Sequence, residues 1–273
     1  MHIPPFVTSR INATFKELSV GSIIELCKMP VEHNELGITK SIEAFLLDSN
    51  LALAHWTAQE RYAAVIHYQV HLHNKGEAFN IGPDLEATII DYLGRDGADH
   101  PITKNKYSVG PDELVYRFEL DAGSDDPDQL EMRPLTTAWV EAVERAVLRG
   151  DVRGVSNKDA AWEMACIAAQ VHAAGTDMNV FDEVSIDSFI KNNIETLLAM
   201  PASSYKTLLG EFYTGTAIMD HIVRLRVFDD GFVLVPWDEG KGGEGLPPYR
   251  FQFDSLISED AFEAWGGYDV AGV

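Results

Sequence analysis

The sequence predicts an α+β protein that is predominantly helical, with an N-terminal helical unit, a small mixed β middle and a helical C-terminal half carrying an appended β-hairpin. Three observations predict it. Apolar residues recur at helical spacing over most of the chain, as in Tyr62, Val65 and Ile66, with Gln69 continuing the same spacing. Strict alternation is confined to short runs such as Leu114–Leu120. Punctuation by Gly and Pro is dense only between 74 and 101 and again after 236.

Residues 1–74 are expected to form an arm and a helical unit. Met1–Asn12 contains Pro4 and Pro5 and reads as an extended arm, with no basic region followed by an apolar run that would suggest a leader. Thr14–Leu18 is a short strand candidate. Ser19–Met29 reads as a helix with Ser19 or Ser22 as cap and Pro30 as its stop. Glu32–Asp48 is expected to be a second helix. After a short connection over 49–55, Trp56–His73 carries the clearest start signal. Thr57 followed by Glu60 is a capping box, in which each side chain satisfies a free backbone N–H of the first turn.

Residues 84–133 form the mixed middle. Leu114–Leu120 is a strand, and Leu130–Arg133 is its expected partner. Residues 134–273 form the helical C-terminal region with its hairpin and extended tail. Pro134–Arg149 is a helix stopped by Gly150. Ser156–Ala174 is a helix whose Trp162, Ala165, Cys166 and Ala169 make a small-residue face suited to close helix approach. Ile186–Met200 and Ser203–Arg226 follow, with Gly210 and Gly215 as weak points in the second. Arg224–Pro236 reads as a hairpin turning at Asp230-Gly231. Tyr249–Phe253 is extended, and Ser258–Trp265 is a last capped helix before the tail.

Net charge is −22, from 43 Asp and Glu against 21 Lys and Arg. A field of that sign repels phosphate backbones and anionic lipid, so nucleic-acid and membrane partners are not expected. Cys27 and Cys166 cannot build a disulfide framework and read as small buried apolar residues.

The chemistry on offer is sparse. His67 and His71 lie four residues apart and share a helix face, the spacing with which two imidazoles hold a divalent ion. His73 is rotated away from that face, and no Glu lies between the pair to act as general base. A metal-dependent enzyme built on His67 and His71 is therefore an alternative, not the leading reading. Asp121–Asp128 lacks the ligand order of a calcium loop. Gly240–Gly245 lacks the order of a phosphate-binding loop. No catalytic residue and no cofactor is expected.

Extended, Pro- and aromatic-bearing segments suit partner contact instead. The candidate contact residues are Pro4, Pro5 and Phe6 in the arm, Pro247, Pro248, Tyr249 and Phe251 in the strap, and Trp265 near the end.

Three stretches resemble tail and baseplate proteins of tailed bacteriophages: Leu18–Pro30 followed by Trp56–Tyr62, then Met132–Ala142, then Gly231–Pro236 leading to Leu246–Phe251. In the second, Arg133-Pro134-Leu135-Thr136 enters a helix in the manner of such proteins. The resemblance covers about a quarter of the chain and implies no catalytic residue. It implies a structural component of a virion, made in the host cytoplasm and built into a larger assembly with other tail proteins. A tail assembly chaperone, not retained in the particle, is the alternative within the same biology.

Overall fold

The computed structural model describes residues 3–72, 92, 114–120, 128–177, 182–228, 231–236 and 248–253. Over these residues the protein is α+β and mostly helical, with small antiparallel sheets. They fall into two compact units. One is built from both sides of the sequence: residues before Ser108, then Ile222–Arg226 and the residues from Phe232 on. The other takes Val109–His221 and the hairpin tip Val227–Gly231. The strands of the expected middle segment fall in the same unit as the helices that follow them. No helix among the described residues is long and apolar enough to cross a membrane.

In the first unit, β1 (Phe6–Val7), β2 (Asn12–Phe15) and β3 (Leu46–Ser49) form an antiparallel sheet in the order β1-β2-β3. Phe6 pairs with Ala13, and Ala13 with Ser49. Helices α1 (Val20–Cys27), α2 (Asn34–Phe45) and α3 (Ala58–Leu72) complete it, with α2 packed on both α1 and α3. Ser19 caps α1 by accepting the Ser22 N–H at 3.1 Å. The capping box of α3 forms as its sequence implies: the Thr57 N–H donates to Glu60 Oε2 at 2.8 Å, and the Glu60 N–H donates to Thr57 Oγ1 at 3.2 Å.

Two expectations fail here. The first twelve residues are not an arm from Ile3 onward. Ile3, Phe6 and Ile11 are buried, because β1 closes over the aromatic cluster of Phe15, Trp56 and His67. The helix expected over Glu32–Asp48 ends at Phe45. Leu46 turns extended so that β3 can pair with β2, a long-range pairing that local periodicity does not register.

In the second unit, β4 (Tyr116–Leu120), β5 (Asp128–Met132) and β6 (Val171–Ala173) form an antiparallel sheet in the order β4-β5-β6. Helices α4 (Thr137–Leu148), α5 (Lys158–Gln170) and α6 (Glu183–Ala199) pack against one another, and α7 (Ala202–Met219) packs on β4. Gly150 takes φ +70°, the left-handed stop expected after α4. The small face of α5 is its buried face, with Ala165 and Cys166 at 0% and 1% exposure. Asp187 on α6 is clamped by Arg145 at 2.9 Å and by Arg149, both from the C-terminal turns of α4.

Again two helix ends differ from expectation. The Ser156–Ala174 helix stops at Gln170, because Val171–Ala173 pairs with β5 as Leu130↔Ala173 and Met132↔Val171. The Ser203–Arg226 helix stops at Met219, and the segment from Arg224 on becomes β7 (Arg224–Phe228), paired with β8 (Gly231–Val235). Between Ala202 and Met219 that helix is unbroken across Gly210 and Gly215. Gly215 is where α7 meets the sheet: a Cβ there would lie 2.7 Å from Met132 Sδ and from Tyr116 Cδ1. At Gly210 an added Cβ meets nothing within 4 Å.

The two glycines predict opposite outcomes. Gly215→Ala gains helix propensity but overpacks, and is expected to destabilise the second unit by about 1–2 kcal/mol. Gly210→Ala is expected to stabilise it by up to about 1 kcal/mol. Thermal melts of the two variants against the parent check the signs.

Several expected features lie outside the described residues. These are His73, the element over 84–93 apart from Tyr92, the loops over 94–101, 121–127 and 240–245, and the helix and tail over 258–273.

Candidate functional site

The α3 histidines are built into packing. His67 is 8% exposed, and its Nε2 lies 2.9 Å from the Pro4 carbonyl. A carbonyl only accepts, so Nε2 carries the hydrogen and holds the first strand against α3. The ring also packs on Phe6 and Phe15, with centroids at 5.6 Å and 6.0 Å. His71 stands 4.5 Å from it, ring to ring. To ligate a metal through Nε2, His67 would have to release Pro4. Among the described residues no group of three or more His, Cys, Asp or Glu is placed to hold an ion.

The contact candidates separate by burial. Phe6 and Phe251 are both 0% exposed and serve this chain's own core. Their aromatic character, which suggested an interface, is used internally. Pro4 is half-buried, Pro5 and Pro248 are exposed, and Tyr249 is half-buried. Tyr249 exchanges backbone hydrogen bonds with Leu234 at 2.8 and 2.9 Å, extending the hairpin sheet by one bridge. Pro247 and Trp265 lie outside the described residues.

What sequence reasoning missed in this unit is a buried polar bracket between α2 and α3. The Arg61 guanidinium donates to Glu35 Oε2 at 3.3 Å, to the Glu35 carbonyl at 2.6 Å and to Thr39 Oγ1 at 2.9 Å. The Tyr62 hydroxyl donates to Glu35 Oε1 at 2.6 Å. Arg61 is 0% and Glu35 1% exposed. Burial, and then the neighbouring Glu35 carboxylate, push the Tyr62 phenol well above its ordinary range. One residue earlier, Asn34 donates to the Phe251 carbonyl at 3.1 Å and accepts the Phe253 N–H at 3.0 Å. Asn34 thereby pins the strap that the sequence offered as a docking segment.

The second unit holds a cavity of about 330 Å³. It is walled by apolar side chains that include Leu120, Ile167, Phe189, Leu197 and Leu208. Four polar side chains join them: His172, Thr176, Asn193 and Thr196. Three of these already donate to main-chain carbonyls: Thr176 to Ala173 at 2.8 Å, Asn193 to Ala168 at 2.9 Å, and Thr196 to Asn192 at 3.0 Å. The side chain of His172 is only 2% exposed. Its Nδ1 faces two acceptors, the Ala173 carbonyl at 3.3 Å and Glu131 Oε1 at 3.8 Å. Its Nε2 is buried without a hydrogen-bond partner. Burial lowers the imidazole pKa more than the Ala173 carbonyl and Glu131 raise it.

Glu131 anchors this arrangement. Arg133 donates to it from Nε at 3.0 Å and from Nη2 at 2.8 Å. Burial pushes the carboxyl up, but the Arg133 hydrogen bonds and charge, with His172, outweigh burial and hold it below the ordinary range. A carboxyl with a depressed folded-state pKa adds stability that is complete above its unfolded value. That stability is lost as pH falls through the folded one. Glu131→Gln is therefore expected to flatten the acid limb of the second unit's stability below about pH 4.3. Denaturation midpoints measured from neutral pH down to pH 3 check this.

Comparison with protein-family models, with curated proteins and with solved structures found no match to this chain.

Proposed function

We propose that this chain is a structural component of a tailed-phage particle, of its tail or baseplate, and acts through protein–protein contacts. Support comes first from the three stretches that resemble tail proteins. The observation that carries the reading furthest is exposed apolar surface on the first unit, part of it in the first of these stretches. Val20 opens α1 at 57% exposure, and Val31, just beyond its end, is 60% exposed. Leu47 on β3 adds a third large apolar side chain in the same unit, at 66%. The strongly acidic balance suits a basic neighbour and disfavours nucleic acid.

Truncating the chain through Arg10 does not test this reading, because Ile3 and Phe6 are core. Mass spectrometry of particles purified from the chain's native source does. The expected result is the chain in fixed copy number per particle. Its presence in assembly intermediates and absence from finished particles would mark a tail assembly chaperone instead. Absence from both would overturn the reading.

A further inference from the structure

The seat of the strap over residues 249–253 has a frame of its own. Glu35, Arg61 and Tyr62 brace it, and all three lie on α2 or α3. Three features of that frame read an extended segment. Asn34 donates from Nδ2 to the Phe251 carbonyl at 3.1 Å and accepts the Phe253 N–H at Oδ1 at 3.0 Å, a two-point grip on main chain that consults no side chain. Gly37, about one turn further along α2, is the seat of Phe253: a Cβ there would lie 2.3 Å from the Phe253 Cγ. The Tyr62 ring meets the Phe251 ring edge-on, with centroids 6.5 Å apart and planes at 80°.

Phe251 and Phe253 are buried, and Gln252 between them is exposed. Main-chain hydrogen bonds combined with pockets for alternate side chains are how folded domains hold extended peptides. None of these contacts requires cleft and segment to belong to one chain. The two lie far apart in sequence, with the body of the second unit encoded between them. Exchanging an identical segment between copies keeps every such contact, which makes it a low-cost route to association. Since seating within a chain and between chains makes the same contacts, local concentration decides between them. Seating between chains gains where copies are held together.

We infer that α2 and α3 form a recognition cleft for an extended Phe-x-Phe segment, and that copies of this chain link by seating the 249–253 strap of one in the cleft of another. This goes beyond the assembly role proposed above, because it concerns copies of this chain alone and is tested without a particle.

Two variants divide cleft from segment. Gly37→Leu fills the Phe253 seat and keeps the strap. Phe251→Ser with Phe253→Ser keeps the cleft and removes what it reads. Refolded together from urea and followed by native mass spectrometry, the two are expected to form an equimolar heterodimer, while neither pairs with itself. A cross-link in a chain that keeps an aromatic ring at position 251 stands even if those variants fold poorly. 15N-labelled chains with Phe251→p-azidophenylalanine are mixed with unlabelled chains, refolded together at high concentration and irradiated. Labelled strap peptides joined to unlabelled α2 or α3 peptides are the expected product. Adducts confined to labelled peptides would overturn the inference, whatever the variants do.

Discussion

Arg61→Leu is expected to cost the first unit about 3–5 kcal/mol, because it removes the cation buried beside the Glu35 carboxylate. Glu35 keeps the Tyr62 hydroxyl, but it loses the guanidinium that now lies within hydrogen-bonding distance of its carboxylate, its carbonyl and Thr39. No water can replace that charge, since Glu35 is 1% exposed. The companion variant decides whether the charge or the packing matters. Arg61→Leu combined with Glu35→Leu removes the buried carboxylate as well, so it is expected to recover a large part of the loss. Hydrogen exchange of α2 and α3 amides is the suitable measurement, because two units need not unfold together. A loss below about 1 kcal/mol in the single variant would mean that the bracket contributes little.

Phe6→Ala is expected to cost about 3–5 kcal/mol in the same unit, the range for emptying a fully buried aromatic site. Its ring lies 6.0 Å from those of Phe15 and Trp56 and 5.6 Å from that of His67. Truncation through Arg10 should be worse, because it also removes Ile3 and the 2.9 Å pair between Arg10 and Glu60. Burial raises the Glu60 pKa, with Arg10 and Thr57 opposing it, so losing Arg10 weakens the capping box at the start of α3 as well. Hydrogen exchange of the α3 amides, followed through a urea titration, checks both changes. A truncated chain with unchanged α3 protection and midpoint would restore the free-arm reading.

Local rules were readable where the interaction is local. Ser19 and the Thr57–Glu60 pair cap as their spacing implies, since cap and target lie within three residues. The strand over Leu114–Leu120 was readable from alternation, and it pairs over Tyr116–Leu120 with Asp128–Met132, a partner expected two residues later at Leu130–Arg133. The two helix-to-strand junctions were not. Leu46 and Val171 continue a helical pattern and turn extended only because β2 and β5 offer backbone partners from elsewhere in the chain. Phe6 was misassigned for a related reason. Beside two prolines it looks like an exposed hook, and only the aromatic pocket formed by Phe15, Trp56 and His67 shows where it goes.

The sites divide the same way. The spacing of His67 and His71 does put them side by side, but the acceptor that occupies His67 is a main-chain carbonyl, which no residue pattern displays. His172 sat inside an expected helix, and its place beside Glu131 depends on a strand pairing.

Asn34 accepts from and donates to Phe253 and Phe251, 219 and 217 residues further along the chain. On a ribosome that distance is a waiting time. At about 5–20 residues per second, roughly 10–40 s separate the emergence of α2 from that of the strap that closes over it. The second unit is synthesised whole within that interval. Newborn chains should therefore expose the α2 surface around Asn34 to holding factors while the later unit is already folded, and the first unit should complete its fold last.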